Sequence, residues 1–252
     1  MPWSAVPPLI LVGLAAGLLS SLFGVGGGVI IVPALGLVLH LDQHLAQGTS
    51  LMVIVPTAAW GAFRYARRGS IQWGASLRVG IPALVTSFLA AHLALRLPSG
   101  LLRVLFALFL VAVAARAAST RRQPQRAAPQ PNRRGNRVQL ALGVGVGALS
   151  GLLGVGGGVL ATPGLILLSG FPAQLAQGTS LGALVLSSGA GVVGYAGAGA
   201  VDWLAAAAVF LGALVTVPLG TYVAHRLPEH RLRQAFALFA LAMAVWEIAS
   251  RL

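Results

Sequence analysis

Long apolar runs separated by short polar gaps make up almost the whole chain. The runs cover 9–40, 49–63, 72–95 and 101–118, then 138–169, 179–198, 203–225 and 232–249. About 20 apolar residues cross the hydrocarbon core of a bilayer as a helix, so the pattern predicts an all-α polytopic membrane protein. The first run of each group is interrupted by glycines, at Gly24–Gly28 and at Gly154–Gly158. Pro98 and Pro228 stand where the fourth helix of each group would begin, a position that tolerates proline. Between the groups, 119–136 holds five arginines and three prolines with no apolar run, the composition of an extended linker in water. Three regions follow: a first transmembrane repeat over 1–118, an Arg/Pro-rich cytoplasmic linker over 119–136, and a second transmembrane repeat over 137–252.

The two groups are copies. Gly24-Val25-Gly26-Gly27-Gly28-Val29 returns letter for letter as Gly154-Val155-Gly156-Gly157-Gly158-Val159, and Ala46-Gln47-Gly48-Thr49-Ser50-Leu51 returns as Ala176-Gln177-Gly178-Thr179-Ser180-Leu181, both at an offset of 130 residues. The same offset matches Pro33 with Pro163, Tyr65 with Tyr195, Trp73 with Trp203, and Arg96-Leu97-Pro98 with Arg226-Leu227-Pro228. Two homologous four-segment halves are therefore expected. Because the first apolar run recurs internally and Met1 to Pro8 carries no positive charge, that run reads as structure and not as a cleaved signal peptide.

Hydropathy leaves the relative direction of the copies open: a broken first segment that crosses once gives parallel copies, and one that folds into a hairpin gives inverted copies. Charge arbitrates. All 17 basic residues are arginine, against four acids. Seven of them, Arg116, Arg121, Arg122, Arg126, Arg133, Arg134 and Arg137, crowd the linker region, and Arg64, Arg67 and Arg68 crowd one gap. With the linker in the cytoplasm, inversion also places Arg226, Arg231 and Arg233 inside, as the positive-inside bias asks. Parallel copies would put those three outside. The gap at Arg64–Arg68 also corresponds to the uncharged Gly194–Ala198, a divergence expected of equivalent loops on opposite sides. The charge pattern favours inverted repeats.

Composition narrows the function. Hydrophobic residues make up 57% and charged residues 8%, where soluble domains carry about 25% charged; a soluble enzyme is excluded, and so is nucleic acid as the reason for the +13 charge. There is no cysteine, and no cofactor or metal site is expected. Asp42, Asp202 and Glu229 fall in gaps, and Glu247 pairs with Arg251 one turn away, so no carboxylate marks a proton path at mid-membrane. His92 lies near the end of an apolar run and reads as interfacial, as does Arg78 by snorkelling. Trp60, Trp73, Trp203 and Trp246 fall near segment ends, as an aromatic belt would.

Candidate chemistry therefore rests on the duplicated glycine and Gln-Gly-Thr-Ser elements. The arms flanking Gly24–Gly28, of 16 and 12 residues, reach only about 24 and 18 Å, so the glycine turns are expected inside the membrane. Irregular backbone at that depth survives only when buried in protein or lining a polar cavity. Glycine also lets a ligand approach the main chain. A P-loop is excluded because there is no lysine, and a GxGxxG fingerprint fails because position 29 is valine. Close GxxxG packing is the alternative role for the glycines. Thr49, Ser50, Thr179 and Ser180 precede long apolar runs and are expected to cap helix N-termini, whose free N–H groups suit an anion; Gln47 and Gln177 would add amide donors. The expected substrate-binding set is thus Gly24, Gly26, Gly27, Gly28, Gln47, Gly48, Thr49 and Ser50 with Gly154, Gly156, Gly157, Gly158, Gln177, Gly178, Thr179 and Ser180.

These paired elements, the eight-segment hydropathy and the arginine-rich linker resemble the TauE/SafE family of sulfite and organosulfonate exporters across 9–249. The resemblance implies a bacterial inner-membrane, multi-pass secondary transporter of small sulfur-containing or other organic anions. The expected partners are an anionic substrate such as sulfite or a sulfonate, and the lipid bilayer; a homodimer is compatible with the sequence. Outward movement is favoured because an inside-negative potential expels anions. The competing readings are an anion channel, a non-transporting structural membrane subunit, and an intramembrane hydrolase built on Ser20 or Ser150, which lacks a second-half histidine at matching depth.

Overall fold

The structure, a computed structural model, describes residues 5–119 and 133–227. Among the described residues it is all-helical: α1 (Val6–Phe23), α2 (Gly28–Val38), α3 (Gln43–Ala66), α4 (Trp73–Arg96), α5 (Ser99–Ser119), α6 (Arg133–Leu153), α7 (Gly158–Ser169), α8 (Ala173–Gly197) and α9 (Trp203–Arg226). Helices α1, α4, α8 and α9 are long and apolar enough to cross a membrane. The expected segment at 232–249, with Glu229, Trp246, Glu247 and Arg251, and the linker from 120 to 132 lie outside the described residues.

Helix starts follow local chemistry. Asp202 caps α9, its carboxylate accepting from the N–H groups of Leu204 and Ala205 at 3.1 and 2.9 Å. Asp42 caps α3 through the N–H of His44, and Pro98 precedes α5, its carbonyl accepting from Leu101 and Leu102. Partial burial pushes the Asp42 carboxyl up, but hydrogen bonds from Ser99 and His44 outweigh it and hold it below the usual carboxylate range. Asp202→Ala should lower stability by about 1 kcal/mol, seen as a lower melting midpoint in detergent. Trp73 and Trp203 open α4 and α9 with their rings more than half exposed, consistent with interfacial anchoring.

The break at each glycine run is a reversal. Gly24, Gly26 and Gly27 have φ of 68, 88 and 82°, and Gly154, Gly156 and Gly157 have 70, 75 and 76°, conformations that cost L-residues energy and glycine none. A Cβ on Gly27 would lie 3.1 Å from the carbonyl oxygen of Ala16, so the chain folds back along the end of α1.

Glycine contacts also fix the helix directions. Gly212 meets the Ile10 carbonyl, Gly13 meets Val209 and Gly220 meets Leu18, so α1 and α9 run the same way. Gly143, Gly147 and Gly151 of α6 meet Val79, Ala83 and Ser87 of α4 in the equivalent manner. The first helix of each half is thus packed against a helix of the other half. Gly48, near the start of α3, abuts the carbonyl of Ala200 just past α8; Gly178, near the start of α8, abuts the carbonyl of Ser70 just past α3. The equivalent helices α3 and α8 therefore run antiparallel.

One end of the molecule gathers the α3–α4 gap and the end of α9. Ser70 Oγ is 3.1 Å from His225 Nε2, and Arg68 and Arg226 both lie over the Tyr222 ring. The other end gathers the gap before α3 and the end of α4, where His44 Nε2 reaches the carbonyls of Ala94 and Leu97. Hairpin α1–α2 starts and finishes at this second end. Gly69 and Gly199 are exposed in the two equivalent gaps with nothing within 4 Å of a Cβ, so single cysteines there report sidedness directly. Inverted copies predict that an impermeant maleimide added outside labels one of the two; reaction at both, or at neither, refutes inversion.

Candidate functional site

The two glycine turns meet at the centre. A Cβ on Gly28 would lie 2.6 Å from Val155 Cα, and one on Gly158 would lie 2.7 Å from Val25 Cα. Only glycine allows this backbone approach. Ile54 of α3 wedges between the turns: its side-chain atoms come within 3.2 Å of a Cβ on Gly26 and 3.1 Å of one on Gly156. Its counterpart on α8, Leu184, approaches the Gly26 position to 2.6 Å.

Thr49, Ser50, Thr179 and Ser180 do not cap helices of their own. Helix α3 begins at Gln43 and α8 at Ala173, so both Gln-Gly-Thr-Ser elements lie inside helices. Every residue of each element instead reaches across to the other half. Gln47 Oε1 lies 2.8 Å from Tyr195 Oη, and Gln177 Oε1 lies 3.0 Å from Tyr65 Oη. Gly48 and Gly178 pack on the opposite Tyr and its following loop. Thr49 Oγ1 accepts from the N–H of Asp202 and Thr179 Oγ1 from that of Gln72, the residues that precede α9 and α4. Ser50 Oγ donates to the Gly154 carbonyl at 2.9 Å, and Ser180 Oγ to the Gly24 carbonyl at 3.0 Å.

The stitches are not equal. Gly24 O also accepts from Thr162 Oγ1 at 3.0 Å, whereas Ser50 is the one side chain bonded to Gly154 O among the described residues. Ser50→Ala should therefore strand a buried carbonyl, costing about 1–3 kcal/mol, and Ser180→Ala should cost less, near 1 kcal/mol. Thermal melts of the two variants check the order. Gln177 is committed within the protein, its Nε2 donating to the Leu22 carbonyl at 2.9 Å. The corresponding amide end of Gln47 has no partner.

What the turns leave free is donor capacity. Among the described residues, no group accepts from the N–H groups of Gly26, Gly27, Gly28 and Val29 at the start of α2, or from those of Val155, Gly156, Gly157, Gly158 and Val159 at the start of α7. All nine residues are buried. Buried polar groups almost always find partners, and helix N-termini carry a partial positive charge. No charged side chain is placed there: the described acids, Asp42 and Asp202, sit at helix caps. Arg78 bonds Gln139, and His92 is exposed with its ring against the Phe88 carbonyl. Among the described residues no group of three His, Cys, Asp or Glu could hold a metal. The arrangement offers neutral donors to a negative ligand.

Sequence reasoning missed Tyr65, Tyr195, Ile54 and the buried hydroxyls of Ser87, Ser187 and Ser188. The tyrosines were visible as matched letters without a role. The serines were visible only as polar residues inside apolar runs.

Comparison with known proteins covers nearly the same stretch. The family model described as Sulfite exporter TauE/SafE matches residues 9–246. A probable membrane transporter protein of Methanocaldococcus jannaschii is 33% identical over 198 residues, 75% of this chain and 72% of the relative. The probable membrane transporter protein YunE of Bacillus subtilis is 30% identical over 209 residues, 74% of this chain and 77% of its own length. A probable membrane transporter protein of Xylella fastidiosa is 29% identical over 246 residues, 94% of this chain and 91% of the relative. No solved structure matches the chain at a significant level.

Proposed function

Because the chain belongs to the TauE/SafE sulfite exporter family, and is thus a multi-pass membrane transporter, we propose that it moves small sulfur-containing or other organic anions out of the cell across the inner membrane. The anion is bound between the two inverted repeats, at the paired glycine turns and the helix N-termini that follow them, and is released by alternating access. The single observation that carries this reading is the meeting of two buried turns whose N–H groups find no partner, and no charged side chain, among the described residues. Unpaired main-chain donors at that depth are costly unless something accepts from them, and a transported oxyanion does so.

The test is uptake into proteoliposomes holding the full-length protein, with labelled sulfite, thiosulfate and methanesulfonate offered in turn. Saturable uptake of at least one, competed by the others, is expected. Absence of uptake for all three, in protein that is folded and oriented, would falsify the reading. Unsaturable flux with single-channel currents would replace it by a channel.

A further inference from the structure

The two central turns are matched in backbone but not in surroundings, and the mismatch points to one site. Around the 154–158 turn, Ser188 Oγ lies 3.2 Å from where a Cβ on Gly156 would stand, and Ser87 Oγ lies 3.0 Å from the same point on Gly191, one helical turn from Ser187 and Ser188 along α8. Ser87 also contacts Gly151 through its carbonyl, next to Ser150 on α6. Ser87, Ser150 and Ser188 are fully buried, and none of their hydroxyls has a hydrogen-bond partner. At the equivalent places around the 24–28 turn the sequence has Val217, Ser20 and Ala58. There only Ser20 Oγ is left unpaired. Among the described residues nothing accepts from Val155 N–H, whereas its counterpart Val25 N–H donates to Ser20 O at 3.3 Å.

We propose, building on the transport reading above, that the anion between the paired turns lies towards the N-terminus of α7, with Ser188 and Ser87 as its side-chain ligands, while the 24–28 turn offers main-chain donors and no side-chain ligand. The nearby carbonyls are already engaged: Gly154 O accepts from Ser50, Gly156 O from Ser187 and Gly157 O from Leu160 and Ala161. The site thus presents main-chain N–H donors and serine hydroxyls, with no carboxylate beside them among the described residues. It selects a ligand that only accepts, a fully ionised oxyanion such as sulfite or an alkylsulfonate. It disfavours an aminosulfonate, whose ammonium would find no carboxylate among the described residues to pair with. Ile54, wedged against both turns, covers the site in this conformation.

Binding of sulfite, methanesulfonate and taurine to the purified full-length protein tests this by calorimetry, alongside the proteoliposome assay. Ser188→Ala and Ser87→Ala, on different helices so that a folding failure in one leaves the other to decide, should each weaken methanesulfonate at least ~10-fold, the scale of one hydrogen bond to a charged group. Their ligand-free melting midpoints should stay at the wild-type value, because neither hydroxyl bonds to the protein. Ser20→Ala should bind within about twofold of wild type, and taurine should bind wild type at least ~10-fold more weakly than methanesulfonate. Unchanged affinity in both serine variants, equal loss in Ser20→Ala, or taurine binding on a par with methanesulfonate overturns the site and leaves transport standing. A wild type that neither binds nor transports any of the three overturns both.

Discussion

Gly48→Ala and Gly178→Ala are each expected to prevent recovery of folded protein. A Cβ on Gly48 would overlap the Ala200 carbonyl oxygen and lie 2.8 Å from Tyr195 Cβ; one on Gly178 would overlap the Ser70 carbonyl oxygen and lie 2.8 Å from Tyr65 Cβ. The obstructing atoms include main-chain carbonyls, so no rotamer change relieves the clash. Helix and loop must separate, and the neighbouring stitches separate with them: for Gly48 these are Gln47 to Tyr195, Asp202 N–H to Thr49, and Ser50 to Gly154. Overpacking at about 1–3 kcal/mol with three hydrogen bonds at about 1 kcal/mol each makes the loss about 5 kcal/mol, comparable to the whole stability of a small domain. The measurement is monodisperse yield by size exclusion in detergent. Gly36→Ala is the control, since nothing lies within 4 Å of its Cβ and alanine is the better helix former by about 1 kcal/mol. A folded Gly48→Ala with wild-type melting would show that the two halves do not meet where described.

The second large effect is on transport. The described carboxylates, Asp42 and Asp202, serve as helix caps, so in the proposed transport the charge moved is that of the anion alone. A monovalent anion crossing alone gains about 2.3 kcal/mol per 100 mV. At 100 mV, inside negative, the gradient at equilibrium should therefore favour the outside by about fifty-fold. In proteoliposomes with a valinomycin-clamped potassium gradient, reversing the sign of the potential should reverse the direction of net sulfonate movement. A distribution that ignores the clamp, or follows an imposed pH gradient instead, would show that a proton travels with the anion.

Much of this fold is legible in the letters because duplication repeats them. The offset of 130 residues locates both turns, but the hydropathy of the arms about Gly24–Gly28 leaves a single crossing and a hairpin equally open; the reversal shows only in the contact of Gly27 with Ala16. The starts of α3 and α8 were misplaced by six residues each, because hydropathy treats Gln43, Gln47, Gln174 and Gln177 as groups seeking water. Gln47 and Gln177 instead find tyrosines of the opposite half. For the same reason Thr49 and Thr179 looked like caps for the runs that follow them. They serve N–H groups more than a hundred positions away, a distance no local pattern encodes. The asymmetry between Ser188 and Ala58 was written in the sequence throughout, but it acquires meaning only once both are placed beside their turns.

The crossed stitching has a consequence for biosynthesis. Gln47, Thr49 and Ser50 emerge from the ribosome about 150 positions before Tyr195, Asp202 and Gly154 are all available. At some 5–20 residues per second the delay is on the order of ten seconds. Throughout it, the nascent N-terminal part holds bare amide and hydroxyl groups that lipid cannot satisfy. That interval belongs to the insertion machinery and its chaperones. A message cut short after the linker would yield a product that no lipid can finish and that proteolysis should clear, whereas the two parts made as separate polypeptides in one cell should find each other and close.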